Sequence, residues 1–362
     1  MKTANILLNG KFLSAAPTGV HRVAQELGNA LADLVAEGHE SVRGLNFDVG
    51  LPYDGLQRSG AMRLPTRVIK PFRGIPWEQI SLPLKSGDAT LLNLCNIGPV
   101  IARNAVTMIH DVQVHLSPES YSKGFRLWYH AVQPLMAKRH RHILTVSEFS
   151  RQEIAKAQLC SLDHISVVHN GVDHVLNMAS DNSIITKCDL NTSPYVLALS
   201  TVQAHKNISL LMKAFADSRL SGLKLVLFGG TAKASFEAMG ITVPDNVVFA
   251  GRVSDGELRA LIEHALCLAF PSTTEGFGLP PLEAMLLGCP AIVAPCGALP
   301  EVCGDAAIHC APDKAQEWVE AITRLSDDPE YRSQVAKAGA HHASRFTWRA
   351  AAIKLAGILT QI

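Results

Sequence analysis

Between Ala265 and Met285 the chain reads "ALCLAFPSTTEGFGLPPLEAM". The first six residues, Ala265–Phe270, are an apolar run of strand length. A helical pattern begins at Pro280-Pro281 and continues "LEAMLLG". Proline suits a first helical turn, where its missing N–H would have no partner anyway. Gly276 and Gly278 open backbone conformations closed to other residues and let a ligand come close. The segment therefore reads strand, glycine-bearing loop, helix, with backbone N–H groups exposed at the helix start. That is an anion site. Glu275 stands at the strand exit and Glu283 just inside the helix. Neither carboxylate suits phosphate, but both can accept hydroxyl donors. Phosphate and hydroxyls together point to a nucleotide or a nucleotide sugar.

Working outward, apolar strand-like runs alternate with helical patterns along the whole chain, the pattern of a parallel α/β protein. The first half gives "NILLNG", "ATLLNLC", "AVTMIHD", "HILTVSE" and "HISVVHNG". A helix is expected over Val20–Gly38. The polar stretch Met178–Ser193 reads as a linker. A second series follows: "PYVLALS", "LKLVLFGG", "NVVFAG", "LCLAFPS", "PAIVAPC" and "AAIHC". The expected division is a first domain over 1–178, a linker over 179–193, and a second domain over 194–345. A terminal helix over 346–362 would cross back to the first domain. In doubly wound sheets ligands sit beyond the carboxyl ends of the strands, so the loops after strands are the places to look.

Composition sets outer bounds. The chain has 362 residues, 48% hydrophobic and 18% charged, enough for two ordinary domains with sizeable cores. A formal net charge of +1 gives no reason to expect a nucleic-acid partner. The start "MKTANILLNGKF" reads as a first strand rather than a signal peptide, and no run approaches the roughly 20 apolar residues of a membrane span. The expected location is the cytoplasm. Cys289, Cys296, Cys303 and Cys310 recur every seven residues. They lack a Cys-x2-Cys knuckle and cross several element patterns, so buried thiols are expected rather than a metal site.

Other loops carry chemistry of less specific kinds. "STVQAHKNISLLMKAF" puts Lys206 in a strand-to-helix loop, where it could reach a diphosphate, although a lone lysine is more often solvated. "AVTMIHD" ends a strand in His110, beside Asp111. Thr18-Gly19 precede a helix, a second and weaker anion loop. "HNGVD" is a turn signal first. Gly251-Arg252 follow a strand, and Asp255 suits a helix N-cap. The segment Lys123–His142 mixes aromatic and basic residues. It reads as a solvated face, or as a surface for an anionic leaflet at the inner side of a membrane, and Pro134 is expected to break it as one helix.

Together these segments resemble the retaining GT-B glycosyltransferases of family 4. "EGFGLPPLEAMLLGCPAIVAPCGALPEVCGDAAI" is similar to that family's Glu-x7-Glu region, and "STVQAHKNISLLMKAF", "IHD", "LTVSEFSRQEI", "VVHNGVD" and "GRVSDGEL" follow in the family's order. The resemblance implies two Rossmann-like domains facing across a cleft. It implies that Glu275 contacts the donor sugar hydroxyls, with His110 beside the transferred sugar. Gly276, Phe277, Gly278 and Leu279 would offer their backbone to sugar and diphosphate. Glu283 would hold the ribose, and Lys206 would neutralise the diphosphate. Gly19, Thr201, His205 and Arg252 would complete the nucleotide-sugar site. Ser200 and His205 depart from the family's glycine and arginine. The resemblance implies a hexose transfer, best matched to GDP-mannose with UDP-hexose open. The acceptor would be a glycan or a polyprenyl-linked oligosaccharide. No cofactor or metal is implied. The rivals are an epimerase or phosphorylase on the same architecture, and a non-catalytic nucleotide-sugar binder.

Overall fold

The computed structural model describes residues 3–362, which divide into two compact units. Unit 1 runs to Gly171 and takes in Phe346–Ile362; unit 2 is Val172–Arg345.

Unit 1 is built on a parallel sheet of β1 (Ala4–Asn9), β2 (Leu45–Leu51), β3 (Thr66–Val68), β4 (Thr90–Asn93), β5 (Ala105–Met108), β6 (His142–Thr145) and β7 (Ile165–Val167). Their order is β3-β2-β1-β4-β5-β6-β7. The central strands are apolar because helices cover both faces. Chain order reverses between β1 and β4, so the loops leaving those strands diverge and open space at their carboxyl ends. The helix Gly19–Ala36 follows β1, capped by the Thr18 hydroxyl. The terminal helix Trp348–Gln361 packs on it and buries Leu355, Ala356 and Leu359. Gly171 permits that return: a Cβ there would lie 2.1 Å from the Trp348 amide nitrogen.

Two readings change here. Pro134 does not break its helix, which runs unbroken over Lys123–Arg139. The ring removes one backbone donor, but Val132, Gln133, Met136 and Ala137 are buried from that helix and hold it in place. Strands β2 and β3 had no clear signal. β2, "LNFDVGL", alternates polar and buried residues, and β3 is a three-residue exposed edge.

Unit 2 repeats the plan with β8 (Tyr195–Leu199), β9 (Lys224–Phe228), β10 (Val247–Gly251), β11 (Cys267–Phe270), β12 (Ala291–Val293) and β13 (Ile308–His309). All pairs are parallel, in the order β10-β9-β8-β11-β12-β13, and the reversal lies between β8 and β11. Residues 179–193 are not an open tether. They carry the helix Ser183–Lys187, which packs on the helix Asp255–His264 and buries Ile184 and Ile185. The Asp181 amide donates to the Gly256 carbonyl at 3.0 Å. With a boundary at Gly171, the "NGVD" turn is divided between the units.

Candidate active site

The loops after β8 and β11 meet where unit 2 reverses its strand order. The first is fixed by Asn207, which sits in the left-handed region at φ 55 and starts the helix Ile208–Phe215. Its side-chain amide donates to the carbonyls of Pro312, at 2.7 Å, and Pro271, at 3.3 Å. An asparagine tolerates that backbone where most residues would not. The neighbouring Lys206 is thereby aimed at the second loop. Its ammonium lies 2.5 Å from Glu275 Oε1 and 5.5 Å from the centre of the Phe270 ring. Both side chains are largely withdrawn from water, 16% and 10% exposed, so the pair is little screened.

The second loop ends at Gly278, whose φ of 103 excludes other residues comfortably. A Cβ there would also lie 2.6 Å from Leu299 Cδ2. The helix Leu279–Leu286 begins without any side-chain cap. Pro280 and Pro281 have no N–H, so its donors belong to the loop residues just before them. Gly297, at φ 62, supports the loop from behind, and a Cβ on it would press the Glu275 backbone. The Ala298 amide donates to the Glu275 carbonyl at 3.0 Å.

Glu283 is the fifth residue of that helix, at the end of its first turn. Its carboxylate lies 3.3 Å from His174 Nε2, and His174 is buried on the short 3-10 turn Asp173–Asn177. Sequence reading stopped at "NGVD" and missed His174, two residues from Val172. The only signal was its place immediately after that turn.

The remaining candidates fall around this pair of loops less directly. Ser200 donates its hydroxyl to the Thr231 carbonyl at 2.7 Å. Thr201 accepts from the Gln203 amide in a local turn. Arg252 packs its guanidinium against Gly230, in the loop that holds Ser200. His205 is buried rather than presented on the surface, 3% exposed, and its carbonyl receives both the amide and the hydroxyl of Thr273. It joins the two loops through its backbone.

In unit 1, His110 is buried at the end of β5, and its Nε2–H donates to the Leu94 carbonyl at 2.8 Å. A carbonyl can only accept, so the neutral ring carries its proton on Nε2 and leaves Nδ1 as an acceptor. Burial pushes the imidazole down to about 4. Gly19 begins its helix with open space where a Cβ would go. All eight cysteines are free thiols, and among the described residues no group of three or more His, Cys, Asp or Glu could hold a metal ion. No described helix is long and apolar enough to cross a membrane.

Comparison with known proteins agrees with this architecture. Residues 184–342 match the family "Glycosyl transferases group 1". The chain is 29% identical over 257 residues to the O-antigen chain mannosyltransferase RfbU of Salmonella typhimurium, covering 70% of each. It is 29% identical over 285 residues to the MMP alpha-(1->4)-mannosyltransferase of Mycolicibacterium hassiacum, covering 74% of this chain and 67% of the relative. The fold superposes on Alr3699/HepE of Anabaena, solved with UDP and glucose, at a TM-score of 0.75 and 20% identity. That alignment covers 99% of this chain and all of the other. The architecture is GT-B, and residues 184–342 are a group 1 glycosyltransferase domain.

Proposed function

We propose that this glycosyltransferase moves a mannose from GDP-mannose to a glycan or polyprenyl-linked oligosaccharide, retaining the anomeric configuration. The observation that carries the reading is the Lys206–Glu275 pair beside a glycine-started helix, with Glu283 one turn further on. Mannosyltransferases of O-antigen assembly among its relatives support the sugar and the acceptor class. UDP-glucose bound to HepE supports a nucleotide-sugar donor.

The donor's C1–oxygen bond to the diphosphate breaks as the acceptor oxygen joins C1 on the same face. The acceptor's hydroxyl proton passes to the departing phosphate oxygen. Negative charge grows on that phosphate. The N–H groups of Gly278 and Leu279 at the helix start and the Lys206 ammonium are set to stabilise it, already in place before the reaction starts. Glu275 holds sugar hydroxyls and Glu283 the ribose. His110 enters as a neutral imidazole, because its burial excludes the charged form near neutral pH. Charge stabilisation by these groups makes the transfer independent of metal, so chelator leaves activity unchanged.

The helix Lys123–Arg139 of unit 1 exposes Leu127 and Leu135 among basic residues, which supports peripheral contact with an anionic leaflet on the cytoplasmic side. Vesicle co-sedimentation tests that contact. The central experiment is a thermal-shift panel of GDP-, UDP-, dTDP- and ADP-sugars. It is followed by product analysis with the best donor and synthetic polyprenyl-linked glycans. The expected outcome is stabilisation by GDP-mannose and an α-linked product. Inversion at the anomeric carbon, or turnover of the donor into a free isomer, would sink the reading.

A further inference from the structure

Unit 1 contains a cavity of about 460 Å³ where its strand order reverses between β1 and β4. None of the residues discussed above for donor binding explains it. Its most constrained polar group is Glu78, 4% exposed, on the π-helical turn Trp77–Ser81. Turns of this kind are uncommon and recur at functional sites. Both neighbours of Glu78 are locked. The Trp77 indole donates to the Ile69 carbonyl at 2.8 Å. The Gln79 amide donates to the Gly98 carbonyl and accepts from the Val100 amide.

A chain of buried hydrogen bonds fixes the carboxylate itself. Asn9, at the end of β1, donates to Glu78 Oε1 at 3.1 Å and to Asn93 at 3.0 Å. Asn93 donates to the Thr107 hydroxyl at 2.9 Å. That hydroxyl donates in turn to His140 Nδ1 at 2.7 Å, because His140 Nε2–H is committed to the Pro99 carbonyl at 3.0 Å. The Asn9 amide donates both of its hydrogens, and every bond in the run has a consistent direction. A satisfied buried network of this kind rigidifies what it holds.

Facing this carboxylate is a ridge of the Lys123–Arg139 helix carrying Phe125, Trp128 and Tyr129, all lining the cavity. A fixed carboxylate opposite an aromatic wall suits a polyhydroxylated ring, whose O–H groups donate to oxygen while its C–H faces lie on aromatic surface. Phosphate is a poor occupant. The ammonium of Lys11 is bound to Glu78 Oε2 at 2.7 Å, Asp54 adds a negative charge, and burial holds His21 toward its neutral form. With one ammonium set against two carboxylates, the lining carries no net positive charge to draw an anion.

We infer that this cavity takes a hexose ring of the acceptor, with Glu78 accepting its hydroxyls and Trp128 forming its apolar wall. The inference rests on the glycosyl-transfer reading and specifies what that reading leaves open: the cavity receives sugar rather than the phosphate end of the acceptor.

The test uses the full chain and methyl α-D-mannopyranoside as probe. Saturation-transfer NMR is recorded on wild type, Glu78→Gln and Trp128→Ala, with inorganic phosphate as competitor. GDP affinity measured on each protein serves as the control for folding. The expected result is ring-proton saturation in wild type, weakened by about tenfold or more in Glu78→Gln, where a charged acceptor is lost. It is weakened also in Trp128→Ala, and phosphate leaves it untouched. Signal that survives both substitutions, absence of signal in wild type, or displacement by phosphate would overturn the assignment. A wild type that binds the glycoside in this way but neither GDP nor UDP would overturn the transfer reading while supporting the cavity.

Discussion

The two places where strand order reverses are built in different ways. In unit 2 the groups come from two loops, Ser200–Asn207 and Pro271–Gly278, each following a central strand. In unit 1 they come from far apart in sequence: Asn9 reaches Glu78 across 69 positions and Asn93 across 84. A diphosphate asks mainly for backbone N–H groups and one point charge, which a glycine loop and a lysine supply within a few residues. A carboxylate held rigidly against an aromatic wall needs supports from several strands. The first kind of site leaves a local pattern in the sequence; the second does not.

The largest expected effect tests the unit 2 side of that contrast. Lys206→Ala should lower kcat by about 10²–10³, the usual result of removing a donor aimed at developing charge. It also strands Glu275, whose side chain is 10% exposed, so stability should fall too. The double change Lys206→Ala with Glu275→Gln should recover much of the stability and none of the turnover. Recovery of turnover would reduce Lys206 to a structural partner of Glu275.

Acid should act first on unit 1. Burial holds His110 and His140 at about 4, against 6.5 for a free imidazole. The unfolded chain therefore binds more protons between those values. The stability these residues contribute is complete above about 6.5 and is lost as pH falls toward about 4. Hydrogen exchange at pH 7.5 and pH 5 should show unit 1 amides around β5 losing protection at the lower pH. Protection that is insensitive to pH there would mean the two rings charge without leaving their hydrogen bonds.

A smaller effect is expected at Glu283. Glu283→Ala should weaken GDP binding by about 1.5–3 kcal/mol, the range for a hydrogen bond to a charged group. His174 touches that carboxylate at 3.3 Å, so His174→Leu should weaken binding less, by loosening the carboxylate and not removing it. Calorimetry on both variants checks the order. Equal losses would make the pair one unit, and no loss in Glu283→Ala would end its assignment to the ribose.

These differences also explain what the sequence could tell. All six strands of unit 2 follow from apolar runs, as do five of the seven in unit 1. β2 escaped because Asn46 and Asp48 point outward from it, and β3 because an exposed three-residue edge has no apolar pattern. Around the unit 2 loops, the glycine turn into the helix could be read locally, with Glu275 and Glu283 at its two ends, whereas Lys206 was only a lone loop lysine until the fold set it against Glu275. Asn207's left-handed turn and the support from Gly297 were not legible, since both depend on contacts with distant loops. Pro134 misled for the same reason: its local cost is real, but burial of the helix's inner face outweighs it. Glu78 carried no local pattern, because a glutamate after tryptophan announces nothing until Asn9 and Lys11 are folded against it.

The smallest expected effect concerns how unit 1 is closed. Unit 2 is one continuous segment, whereas unit 1 is completed by a helix from the far end of the chain. Two features tie that helix to Gly19–Ala36. Arg349 pairs with Glu37 at 2.7 Å, but both side chains are half exposed, so water and salt screen them. Leu355 is fully buried in the same interface. Arg349→Ala should therefore cost about 0.2–1 kcal/mol, the range for exposed pairs, and less at high salt. Leu355→Ala should cost about 2–5 kcal/mol through lost burial and the void left behind. Urea unfolding of each, at low and high salt, separates the two. An Arg349→Ala loss as large as that of Leu355→Ala, persisting in high salt, would show that the terminal helix is held by charge and not by its apolar face.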